Sequence, residues 1–172
     1  MSTSRIFAAH NAMLASTQPS FGGGSANQWW PDAGQHDVFV IGLVVRDGTM
    51  RHSGVEYPSK LLTFQYRLVE DPGSPAEPRT FSGAPVNIPL DANVAQQSQA
   101  VQINMGRLKG ILQVVLGEKF VGNDLDASLS MVQSLLDDPD ATVAARCSIQ
   151  ANLDKQGKEW KKEYLVTRLS VA

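Results

Sequence analysis

The chain holds a single cysteine, Cys147, among its 172 residues. One cysteine excludes an intramolecular disulfide and a CxxC metal site, and it fits a reducing, cytoplasmic setting. No apolar run approaches the roughly 20 residues needed to span a bilayer. The segment after Arg5 (Ile6, Phe7, Ala8, Ala9, His10) is too short and polar for a signal-peptide core. Excess charge is missing too: the formal net charge is −2, so the whole-molecule field gives no attraction to polyanions, and only local clustering could supply one.

Catalytic patterns are also scarce. The three histidines, His10, His36 and His52, are scattered, and no HExxH, GxSxG or GxxxxGK[ST] occurs. Gly22, Gly23 and Gly24 follow no strand pattern, so they form no phosphate loop. Asp137, Asp138 and Asp140 read as a solvated helix end. Cys147 lies on the apolar side of an alternating run, as an inert buried thiol does. These absences argue against an enzyme, and no metal or cofactor is expected.

What is present is a long amphipathic stretch, Val101 to Gly117, flanked by strand-like runs. Met105, Leu108, Leu112 and Val115 recur at helical spacing, Ile111 and Leu116 widen the stripe, and Gly117 suits a helix stop. A second helix is expected from about Asp126 to Leu136, with Leu125, Leu129, Val132 and Leu136 as its stripe and Asp137-Asp138-Pro139 as its end.

Residues 1–28, rich in Ser, Ala, Gly, Asn and Gln, read as a flexible tail. Ile6, Phe7, Ala8, Ala9, Met13 and Leu14 within it have the pattern of a short helix that would dock on a neighbouring subunit. A single domain is expected over 29–172. It starts at Trp29-Trp30-Pro31, whose indoles either anchor the tail or stack on a ligand; anchoring is the ordinary reading. Asp37 to Val45 is a β-branched run in which Gly42 marks a bulge or bend. Arg46 to Lys60, punctuated by Asp47-Gly48, Ser53-Gly54 and Tyr57-Pro58, reads as a long connection. Leu61 to Val69 alternates cleanly, with Leu62, Phe64, Tyr66 and Leu68 on one side. A short strand follows at Arg79 to Phe81, and Val86 to Ile88, between prolines, suits an edge or connector. Val143 to Asp154 and Trp160 to Val171 form a closing hairpin around Lys155-Gln156-Gly157-Lys158.

The expected fold class is therefore α+β, mainly β: an OB-fold-like five-stranded barrel with two helices inserted between strands 3 and 4. Its closing strand carries the most suggestive chemistry. Trp160 and Tyr164, with Lys161, Lys162 and Arg168, join aromatic platforms to cations, as single-stranded nucleic-acid sites do, and Arg146 lies on the neighbouring strand. A purely structural role for the two aromatics, covering the helix, is the competing reading. Arg46, Arg51, Tyr57 and Lys60 in the expected connection form a second basic group. Arg107 and Lys109 form a third, flanked by Gly106 and Gly110. Helix-to-sheet packing is the ordinary reason for such glycines, and close approach of a phosphate or another backbone is the alternative.

Four stretches together resemble phage-encoded single-stranded DNA-binding proteins and related replication accessory proteins. They are Trp30-Pro31 with Gly34, Val38 and Val40; L-L-T-F-Q-Y-R-L-V at Leu61 to Val69; G-R-L-K-G-I-L at Gly106 to Leu112; and K-x-G-K-x-x-x-K-x-Y-L at Lys155 to Leu165. The resemblance implies an OB-fold, sequence-independent binding of single-stranded DNA, a role in DNA replication or recombination in the host cytoplasm, and contacts through Arg107, Lys109, Lys162 and Tyr164. Expected partners are single-stranded DNA, replication proteins and further copies of the chain, with no membrane. Many such proteins carry an acidic C-terminal tail that recruits partners, whereas here Val171-Ala172 follow a strand directly. The alternative to DNA binding is an assembly module that oligomerises through its barrel and N-terminal segment without nucleic acid.

Overall fold

A computed structural model describes residues 29–73 and 76–170, so the features expected for residues 1–28 lie outside the described residues. The elements are β1 (Gly34–His52), β2 (Val55–Leu68), β3 (Thr80–Ser82), β4 (Val86–Pro89), α1 (Ala92–Gln97), α2 (Gln99–Leu116), a 3-10 turn (Gly117–Lys119), α3 (Leu125–Asp137), β5 (Ala144–Leu153) and β6 (Glu159–Leu169). The strands form one open antiparallel sheet in the order β3-β2-β1-β5-β6, with β4 paired to β2 beside β3. The mainly-β class is as expected. The sheet has six strands rather than five, because Val86–Pro89 ladders onto β2, and the helices fall between β4 and β5. Among the described residues no helix is long and apolar enough to cross a membrane.

The expected long connection at Arg46 to Lys60 is instead a continuation of two strands. Pairing runs to His52↔Val55, leaving only Ser53 and Gly54 to turn the chain, at φ 52° and 78°. Two successive left-handed residues make the hairpin turn that matches strand twist. The punctuating residues are absorbed by the ladder. Gly48 faces Ser59, and Pro58 turns its carbonyl to Leu90 N–H on the outer edge, so its missing N–H removes no bond to β1. Gly42 does mark a bulge, since register shifts between Val40 and Gly42; a Cβ there would come within 2.5 Å of Gln65 Oε1.

Helix α2 is capped by the Ser98 hydroxyl, which accepts from Val101 N–H, and stops at Gly117, at φ 57°. It lays Leu108, Ile111, Leu112, Val115 and Leu116 on the inner sheet face, against Leu62, Phe64 and Tyr66 of β2 and Ala145, Cys147 and Ile149 of β5. Met105, expected in this stripe, is 37% exposed. Helix α3 starts one residue earlier than expected, with the Asp124 carboxylate accepting from Ala127 N–H, and contributes Val132 to the core. Helix α1, which the glutamine-rich sequence did not announce, is started by Asp91.

The two ends of the sheet approach one another without a backbone ladder. Instead, Glu163 of β6 reaches the β3–β4 connection, where its Oε1 accepts from Ala84 N–H at 2.9 Å and its Oε2 from Tyr66 Oη–H at 2.8 Å. Gly83 leaves room for this carboxylate: a Cβ at that position would lie 1.8 Å from Oε2. Gly83→Ala is expected to lower stability by about 1–3 kcal/mol, the usual cost of overpacking, as measured by urea denaturation. An unchanged midpoint would mean that the carboxylate is not held there.

Candidate nucleic-acid interface

Side chains paired directly across neighbouring strands share a face. On β6, Glu163 and Leu165 point into the core, so Trp160, Lys162 and Tyr164 point out of the sheet. They stand beside Asn152, Gln150 and Ser148 of β5. Arg146 is on the same outer face, next to Thr167 of β6 and Asp37 of β1. Trp160 is 39% exposed, with the Lys162 ammonium 4.9 Å from its ring centroid. Partial burial and the nearby Arg107 charge lower the Lys162 pKa. Tyr164 is half-buried. Both aromatics therefore lie away from α2, on the face opposite the core.

Arg146 is open to solvent and joined to Asp37 by a 3.1 Å ion pair. Farther along the same face Arg67 of β2 lies over the Phe39 ring, 5.3 Å from its centroid. This Arg67–Phe39 pair was missed in the sequence, although period two on β2 already sets Arg67 opposite the buried Phe64 and Tyr66.

Arg107, expected at a phosphate, is 5% exposed and does not reach the surface. Its Nη1 donates to Glu163 Oε1 at 2.6 Å and to the Glu163 carbonyl at 3.3 Å, and its Nη2 donates to the Ala84 carbonyl at 2.7 Å. The helical stripe carries it inward because Arg107 and Leu108 both fall on the side facing β6 and the β3–β4 connection. Burial pushes the Glu163 carboxyl up, with Arg107 and Tyr66 opposing that shift; Tyr66 is itself raised, first by burial and then by Glu163. Glu163 was also missed, yet it sits two residues from Leu165, on the apolar side of the strand.

Arg168 does not share the Tyr164 face either. A register shift between Arg146 and Cys147 makes Val166 an extra residue, reversing the alternation beyond it. Arg168 is paired with buried Ala145 and donates to the Val115 carbonyl of α2 at 3.4 Å. Lys161 also faces away from Trp160, donating to the Pro31 carbonyl at 3.0 Å. Lys109 is exposed on α2, away from the β6 row. In the β1–β2 arm, Arg46 and Arg51 are exposed, Arg51 stands opposite Glu56, Tyr57 opposite Met50, and Lys60 is paired with Asp47. Of the expected residues, then, the fold brings together Trp160, Lys162, Tyr164 and Arg146.

The Trp29 and Trp30 indoles pack on Phe81, with centroids 6.3 and 5.6 Å away, and Phe81 stacks on Tyr66 at 5.1 Å. They anchor the segment, as the ordinary reading has it. Arg79 covers Trp29 at 4.0 Å while its Nε and Nη2 hold the Asp71 carboxylate at 2.7 and 3.0 Å. Cys147 is fully buried, and burial pushes its thiol up to about 12.

No family model, curated protein or solved structure matches the chain.

The Arg79 hydrogen bonds, assisted by two backbone N–H donors, hold the Asp71 carboxyl well below the usual carboxylate range. A depressed acid stabilises the fold fully above its unfolded pKa, about 4, and loses that contribution as pH falls. Asp71→Asn is therefore expected to lower the urea midpoint at pH 7, with the gap to wild type narrowing below about pH 4. A gap that stays constant down to pH 2 would contradict the assignment.

Proposed function

We propose that the chain binds single-stranded nucleic acid, DNA in the first place, on the outer face of β5 and β6. The observation that carries this reading is the row Trp160, Lys162, Tyr164 on one open strand face, with Arg146 alongside. Alternate strand residues repeat every ~6.8 Å, so the two aromatic residues stand about 14 Å apart along the strand and offer separate platforms for bases. Lys162 between them and Arg146 beside them supply phosphate contacts. Stacking is tolerant of sequence because every base has a π-face, which favours sequence-independent binding.

The topology supports the same reading. The order β3-β2-β1-β5-β6, with Glu163 linking β6 to the β3–β4 connection, is compatible with an OB-fold-like barrel in which side chains, not a ladder, would close the last seam. In such a barrel the β1–β2 arm, with Arg46, Arg51 and Tyr57, and the Lys155–Lys158 turn are the loops that flank a bound strand. Arg107, Arg168 and Lys161 take no part. A place in phage-type DNA replication or recombination follows from the sequence resemblance.

One observation favours the assembly reading. Strand β6 ends the sheet, and Val166 at its bulge is 54% exposed, so a second copy has an edge to pair with.

Fluorescence anisotropy with a labelled oligo-dT, with duplex as control, separates the two. Expected is salt-sensitive binding of the single strand. Trp160→Ala and Tyr164→Ala are each expected to weaken it by about 5- to 150-fold, since a stacked base contributes about 1–3 kcal/mol. Lys162→Ala is expected to reduce the slope of log K against log salt by about 0.7. No binding at low salt, together with a concentration-dependent sedimentation coefficient, would transfer the assignment to the assembly module.

A further inference from the structure

Between α2 and the chain that leads into α3 lies an open cleft of about 420 Å³, lined by Met105, Gly106, Lys109, Leu112, Phe120 and Val121 among others. Its walls are mostly apolar, and two of them stand in water: Met105 is 37% and Val121 40% exposed. The cleft lies on α2, apart from the outer sheet face proposed for nucleic acid.

The α2 glycines bear on the same surface. An added Cβ at Gly106 or Gly110 would meet nothing within 4 Å, so neither serves helix-to-sheet packing among the described residues. Each weakens an exposed helix relative to alanine. At Gly106 the missing side chain deepens the cleft and bares the backbone to whatever enters.

The sequence contains a segment of matching character. Ile6, Phe7, Met13 and Leu14 recur at i, i+1, i+7 and i+8, which is one face of a helical period. Residues 15–28 separate Leu14 from the anchored Trp29. Fourteen residues reach about 46–50 Å when extended, whereas a domain of this size is about 37 Å across. The tether is therefore longer than the domain is wide, so the segment can reach much of its surface. The tether also holds it at high effective concentration, so modest contacts suffice.

We propose that the chain's own N-terminal segment, through Ile6, Phe7, Met13 and Leu14, occupies the α2–α3 cleft of the same molecule. A second copy's segment would fit the same walls, but the short tether favours the molecule's own.

The test is paramagnetic relaxation in the full chain, with a nitroxide at Ser16→Cys. Cys147 is buried, with its thiol pushed up to about 12, and stays unlabelled. Expected is broadening of the Met105 and Val121 methyl signals that is independent of protein concentration and lost in Phe7→Ser/Leu14→Ser. Met105→Glu/Val121→Glu, at two exposed positions, is expected to abolish broadening at Leu112 while leaving the remaining spectrum intact. Broadening elsewhere or nowhere overturns the proposal. So does broadening of an isotope-labelled, nitroxide-free chain mixed with nitroxide-bearing chains, which would place the segment on a second copy. None of these readouts involves nucleic acid, so they stand or fall separately from the DNA reading.

Discussion

The fold depends on a charge pair that water does not reach. The side chains of Arg107 and Glu163 are 1% and 0% exposed, and ions so buried cost several kcal/mol each unless their hydrogen bonds are met. Here nearly all of them are. Glu163 accepts from Arg107, Tyr66 and Ala84, and Arg107 donates to the Glu163 and Ala84 carbonyls. Only the Arg107 Nε lacks a partner. The pair joins helix, closing strand and β3–β4 connection at one point, and it does the work of a ladder that β6 does not form.

This use of Arg107 decides where function can sit. Its guanidinium is consumed inside, so the helix offers no phosphate cradle there, and the period-two geometry that turns Glu163 inward turns Trp160, Lys162 and Tyr164 outward. The bulge at Val166 then takes Arg168 off that face. The outer surface of β5 and β6 is left with two aromatics, a lysine and an arginine, a smaller set than the sequence offers and a more coherent one. The rim of α2 is left with an apolar cleft of a different character.

Much of the scaffold is legible in the sequence because burial writes a period. Leu62, Phe64, Tyr66 and Leu68 alternate, and Leu108, Ile111, Leu112 and Val115 recur at helical spacing; both sets lie in the core. Gly42 marks its bulge. Other features leave no local trace. Asp47-Gly48 and Tyr57-Pro58 look like breaks in the chain, but the ladder tolerates both. The Val166 bulge carries no glycine, so the reversal at Arg168 is invisible without the β5 register. The partner of Arg107 lies 56 residues away, and no spacing rule links them. What could be read, and was not, is a lone glutamate two residues before Leu165 on an apolar strand face.

The most direct measurement is a double-mutant cycle on the buried pair, with Arg107→Met, Glu163→Gln and the double variant compared by urea denaturation. Removing one partner strands the other charge, so each single change is expected to cost about 3–5 kcal/mol. The double variant is expected to cost far less than their sum, giving a coupling of at least about 2 kcal/mol. Additive costs, or single variants as stable as wild type, would contradict a buried pair that closes the sheet.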